Sequence, residues 1–120
     1  MKRHLAVLCF FTILTPLMTY PMALHLAEAV PGPPWDNFVW LYDLWWFKHS
    51  LFEQGVSPWF NPSMFHPFGY EVGLSETILA SKALGLPFLL LGGEVVAYNL
   101  LVFASFALSG FAMYLLVLRL

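Results

Sequence analysis

Two aspartates on an aromatic stretch are the side chains of this 120-residue chain best suited to chemistry. Asp36 follows the rigid segment Pro31-Gly32-Pro33-Pro34 and stands where an N-cap carboxylate would sit. A carboxylate held there could take a proton from an acceptor hydroxyl or help hold a divalent cation. It equally suits a cap that stabilises its helix by about 1 kcal/mol, and one residue can do both. Asp43 lies two turns further along the same face, about 10 Å of helix rise away. It could assist Asp36, although it reads more simply as a solvated residue of the polar face. Glu71 and Glu76 sit in and just after an irregular segment that could carry them to Asp36. Tyr70, His66 and Asn61 could donate hydrogen bonds to a sugar or phosphate, and each also suits a structural place in a loop. The run Trp35–Phe47 could stack sugars, but anchoring at a membrane interface is the simpler use of so many indoles.

Other chemistries lack their patterns. No Gly-rich phosphate loop, Ser/His/Asp spacing or haem motif occurs. The four histidines, His4, His25, His49 and His66, are too widely spaced for a zinc pattern, so no metal residues are assigned, and the cofactor is left open with a divalent cation as the candidate. Cys9 is the single cysteine, which rules out an intrachain disulfide. With net charge −2 and scattered basic residues, no nucleic-acid partner is expected.

The elements that must position these residues are written in the apolar blocks. The chain is 60% hydrophobic and 10% charged, with mean hydropathy +0.74, whereas soluble domains carry about 25% charged residues. This predicts an all-α membrane protein. Lys2 and Arg3 precede an apolar run from Leu5 to about Leu26, long enough to cross a hydrocarbon core that needs roughly 20 residues. Pro16 and Pro21 should bend that helix or end it early. Ala27-Glu28-Ala29 fits a signal-peptide cleavage pattern, but the run exceeds the usual ~7–15-residue apolar core, so an uncleaved anchor is the expectation.

A helix is predicted from Asp36 to about Gln54, stopped by Gly55. Asp36, Asp43, Ser50 and Gln54 form a polar stripe on it, with Phe38, Leu41, Trp45 and Phe52 opposite and Trp40, Trp46 and Phe47 flanking. Such a helix belongs at the interface between lipid and water. Residues 56–73 read as irregular because Pro58, Pro62, Pro67, Gly69 and Gly73 recur through them. Residues 75–91, with Ser75 as the cap and Gly92-Gly93 as the stop, read as an interfacial or re-entrant helix, since Glu76, Lys82, Gly85 and Pro87 weaken them as a span. Residues 94–120 hold the clearest span, with a small-residue stripe at Ser105, Ser109 and Ala112 suited to a neighbouring helix.

The expected organisation is a cytoplasmic tip and first transmembrane helix over 1–26, an extracytoplasmic loop with interfacial helices over 27–93, and a second transmembrane helix over 94–120. The protein is thus expected in the cell membrane, multi-pass, with its N-terminus cytoplasmic. Lys2, Arg3 and Arg119 lie at the chain's outer ends and all seven carboxylates between Glu28 and Glu94. If 75–91 does not cross, Arg119 returns to the cytoplasm, as the positive-inside tendency prefers. Two or three apolar segments make a poor bundle alone, so further transmembrane helices of this or another chain are expected partners.

Several motifs follow in order: Asp36, then Leu44-Trp45-Trp46-Phe47-Lys48-His49, Asn61-Pro62, Phe65-His66-Pro67-Phe68-Gly69, Ala97-Tyr98-Asn99-Leu100 and Leu108-Ser109-Gly110-Phe111-Ala112-Met113-Tyr114-Leu115. With the basic N-terminus and first span, this order resembles the N-terminal region of prokaryotic polytopic membrane proteins related to the C-type (GT-C) glycosyltransferases. The resemblance implies transfer of a sugar from a polyprenyl-phosphate donor, usually with inversion, at the extracytoplasmic face. Asp36 matches the acidic residue implicated there as base or metal ligand. Many members carry two acidic residues together at that place; here the neighbour is Asn37, which departs from the pattern that would hold a divalent cation. Residues for the donor phosphate would lie in later loops. The alternatives are a transporter fragment, with carboxylates facing a pathway in the bilayer, and a membrane scaffold or accessory protein whose loop only packs.

Overall fold

The computed structural model describes residues 2–74 and 79–120 and is mostly helical. The first helix, α1 (Lys2–Met18), ends well before Leu26. Thr12, Thr15 and Thr19 turn their hydroxyls back onto the carbonyls of Leu8, Phe11 and Thr15, so these polar groups are satisfied within the chain's own first segment. Pro21, which has no N–H to continue the ladder, closes the segment, and a single 3₁₀ turn (Met22–Leu24) follows. The expected first span is therefore shortened: 17 residues of helix cover about 26 Å, at the lower limit for crossing a bilayer.

The second helix, α2 (Asp36–Lys48), continues into a π-helical turn over His49–Gln54 and stops at Gly55. Gly55 has φ +66°, the left-handed conformation that a terminal glycine adopts without strain. This agrees with the extent expected from the sequence. The following segment is less irregular than its prolines imply. β1 (Phe60–Asn61) pairs antiparallel with β2 (Tyr70–Glu71), placing Phe60 opposite Glu71 and Asn61 opposite Tyr70. The missing Cβ of Gly69 lets the Phe60 ring lie against its backbone, and its φ of +76° suits glycine alone. A 3₁₀ turn (Val72–Leu74) follows. The expected cap Ser75 and candidate Glu76 lie outside the described residues.

The third helix, α3 (Leu79–Val117), breaks at Gly93, where φ is +81° and ψ −176°. In an unbroken helix Gly85 and Leu101 would stand about 24 Å apart. Here a Cβ on Gly85 would lie 2.9 Å from Leu101 Cδ1, and Leu89 shares a buried cluster with Ala97 and Leu44. The chain doubles back at Gly93 into an antiparallel hairpin with arms 79–92 and 94–117. Among the described residues, Ala80–Val117 is the one helical stretch long and apolar enough to cross a membrane. Because it folds on itself, that capacity resides in the second arm, about 36 Å long, while the first arm reaches only about 21 Å.

Helix α1 runs antiparallel to the second arm. Phe11 packs on Gly110, where a Cβ would come within 2.5 Å of its ring. The His4 and Tyr114 rings meet edge to face, and Arg3 lies over the Tyr114 ring. The ends bearing Lys2, Arg3 and Arg119 therefore share one end of the helix pair. The core is small. Leu44, Trp46, Phe47, Val72, Leu89, Ala97 and Ala107 are buried, while a much larger set of Leu, Phe, Met and Val side chains along α1, α2 and α3 is exposed. A surface so apolar needs lipid or protein cover.

Candidate functional site

Helix α2 rests on the hairpin by its polar side. Asp43 meets Lys82 of the first arm at 2.8 and 3.0 Å, and Lys48 meets Glu94 at the turn at 2.9 Å. Ser50 is fully buried and bonds the Phe47 carbonyl. Phe38, Val39 and Phe52 point away from the protein. The stripe expected to face water thus turns inward at Asp43 and Ser50, beside the buried Leu44, Trp46 and Phe47, while Asp36 and Gln54 stay exposed. Asp43 is corrected from a solvated residue to an ion-paired one. The physical reason is the buried ammonium of Lys82, whose nearest described anion is Asp43 and whose charge also sits 5.6 Å from the Phe47 ring and 6.0 Å from the Trp59 ring.

Two grooves flank Trp40 and Asp43. One, about 240 Å³, lies between α2 and the hairpin and is bordered by Lys82, Tyr98 and Ser105. The other, about 280 Å³, lies between α2 and the β-hairpin and is bordered by Tyr42, Trp46, Asn61 and Tyr70. Asn61 is fully buried, donating to Tyr42 Oη at 2.8 Å and accepting from Ser63 N at 2.9 Å. Trp46 Nε1 donates to the Pro58 carbonyl at 3.0 Å. These bonds fasten the β-hairpin to α2 and assign Asn61 a structural place.

Asp36 is the first residue of α2 and not its cap: Trp35 holds the cap position, and no side chain caps the helix. The helical turn opens one residue early, with Phe38 N donating to the Trp35 carbonyl at 3.1 Å. In the first turn an acid is still favoured by the helix dipole. The Asp36 side chain is exposed and makes no polar contact with any described residue. The remaining candidates scatter. Tyr70 joins Asp43 in the second groove. His66 and Glu71 are exposed, His66 in the loop between the strands and Glu71 on β2. Asp36 borders neither groove. No three His, Cys, Asp or Glu side chains among the described residues gather round one point that could hold a metal ion.

Sequence reasoning gave Lys82, Asn37, Tyr98 and Asn99 no role in the site. The signal for Lys82 was available, since a lone lysine in an apolar helix calls for a named partner. Asn99 interrupts an apolar arm in the same way. It is fully buried and gives both amide hydrogens to the chain between α1 and α2, at Leu26 O and Ala29 O, each 2.8 Å. No protein-family model, curated protein or solved structure matches the chain.

Proposed function

We propose that this chain forms part of a membrane glycosyltransferase that takes a sugar from a polyprenyl-phosphate donor at the extracytoplasmic face. In this reading α1 and the second arm of α3 cross the bilayer as an antiparallel pair, with Lys2, Arg3 and Arg119 in the cytoplasm. Helix α2, the β-hairpin and the first arm of α3 lie against the outer leaflet, where the outward Phe38, Val39 and Phe52 meet lipid. Asp36 accepts the proton of the acceptor hydroxyl. The freed oxygen attacks the anomeric carbon, whose bond to the donor phosphate breaks with inversion, and the lipid phosphate leaves carrying the electron pair. The donor never leaves the membrane plane, so a carboxylate on an interfacial helix is where such a step needs its base.

The observation that carries the reading is the division of labour on α2. Asp43 is committed to Lys82, while the Asp36 carboxylate is exposed and unpaired among the described residues. Membranes from cells making the protein are given a panel of radiolabelled polyprenyl-phosphate sugars and scored for label in acceptor glycans. Asp36→Asn should abolish transfer while leaving the amount of protein in the membrane unchanged. Undiminished transfer by the variant would remove Asp36 from the chemistry.

A second reading, a membrane accessory subunit without catalysis, is favoured by the exposure of Ser105, Ser109 and Ala112 along the second arm. Small residues at that spacing admit a second helix closely. It predicts that no sugar is transferred with any donor and that the chain co-purifies with a larger membrane protein.

A further inference from the structure

Resting on the sugar-transfer reading, we propose that Asn37 and Tyr98 are positioning residues that seat Asp36, and that residue 37 is spent on this seat rather than on a cation. Asn37 Nδ2 donates to Pro31 O at 2.7 Å and to Pro33 O at 3.0 Å. Its Oδ1 accepts from Tyr98 Oη at 2.9 Å. Both amide hydrogens and the amide oxygen are therefore engaged, and the orientation of the amide is set, since only its NH₂ end can face two carbonyls. Gly32 makes the approach feasible: its φ is +91°, and a Cβ there would lie 2.7 Å from Asn37 Nδ2.

Tyr98 belongs to the second arm of α3, and the next residue, Asn99, grips Leu26 O and Ala29 O. Consecutive residues of one helix thus pin the α1–α2 connection at two places, Asn99 directly and Tyr98 through Asn37. The residue held next to this double pin is Asp36. Among the described residues its side chain has no hydrogen bond of its own to fix it, so its location relative to the second arm is inherited from Asn37. An aspartate at position 37 would set its carboxylate against two carbonyl oxygens, which repels instead of binding. The seat therefore selects an amide at 37 and leaves Asp36 to act as a lone carboxylate. Misplacing a reacting group by about 1 Å can cost on the order of a hundredfold in rate, which is the scale on which the seat matters.

The test uses the full chain in lipid nanodiscs. The exposed Cys9 is replaced by serine, and spin labels are placed at Trp35→Cys and Ser109→Cys, both exposed positions that leave Asp36 intact. Pulsed electron resonance should give one narrow distance distribution. Tyr98→Phe, which removes a single oxygen, and Asn37→Asp should both broaden it. In unlabelled protein Tyr98→Phe should lower kcat about tenfold or more with KM little changed, and Asn37→Asp should gain no binding of Mn²⁺ and no dependence on it. An unchanged distance distribution in both variants overturns the seat. Broadening with unchanged kcat overturns the positioning role, and Mn²⁺ bound tightly by Asn37→Asp overturns the assignment of residue 37. Failure of the underlying reading looks different: Asp36→Asn then keeps full transfer while the distances respond as described.

Discussion

Removing the Asp43 carboxylate should damage the protein far more than removing any other anion of α2. The ammonium of Lys82 is the reason: its side chain is 4% exposed against 19% for Asp43, so the lysine is the partner that cannot turn to water. Breaking a buried pair from one side leaves an uncompensated charge and costs about 3–5 kcal/mol. Asp43→Ala is therefore expected to lower the folded-to-unfolded ratio by roughly a hundredfold or more. The Lys48–Glu94 pair is about a quarter exposed at both ends, so Lys48→Ala should cost no more than about 1 kcal/mol. Replacing both members of the buried pair, Asp43→Leu with Lys82→Met, should recover most of the loss, because no charge is then left in the interior. The assay is reversible unfolding of the purified chain by a denaturing detergent in mixed micelles, followed by tryptophan fluorescence, with Trp46 buried on the same helix as Asp43 and Trp59 near the Lys82 ammonium. If Asp43→Ala proves no more costly than Lys48→Ala, or the double variant is as weak as the single one, Asp43 and Lys82 are not joined as described.

Two further outcomes follow from the hairpin and from the proposed topology. Gly93→Ala should destabilise the hairpin by about 1–3 kcal/mol through backbone strain alone, since φ is +81° and a Cβ there would touch nothing within 4 Å; a thermal midpoint equal to wild type would contradict the turn at Gly93. A cysteine introduced at the exposed Ser57 in a Cys9→Ser background should react with an impermeant thiol reagent on intact cells; labelling only after lysis would place α2 on the cytoplasmic side and remove the sugar-transfer proposal.

Local chemistry made much of α2 legible beforehand. Pro31–Pro34 bars a helix, and Gly55 takes the positive φ that ends one, so its two limits could be read from backbone restrictions alone. Gly93 announced a break in the same way, and the absence of charge between Glu94 and Arg119 announced a segment suited to lipid. What local chemistry does not contain is direction and partnership. A glycine at positive φ permits a chain to turn, but only packing of Leu89 on Ala97 and Leu101 at Gly85 determines that α3 folds back on itself. The helical wheel set Asp43 and Ser50 on a polar stripe of α2, yet that Asp43 faces the protein depends on a lysine 39 positions away. The face that packs on the hairpin carries the Asp43 carboxylate together with Leu44, Trp46 and Phe47, so the buried ammonium of Lys82, and not the wheel, decides where Asp43 points. The work done by Asn37 was hidden for a related reason. An asparagine beside an aspartate reads locally as a lost carboxylate, and only the approach of Tyr98 from the far end of the chain, 61 positions on, shows what the amide holds.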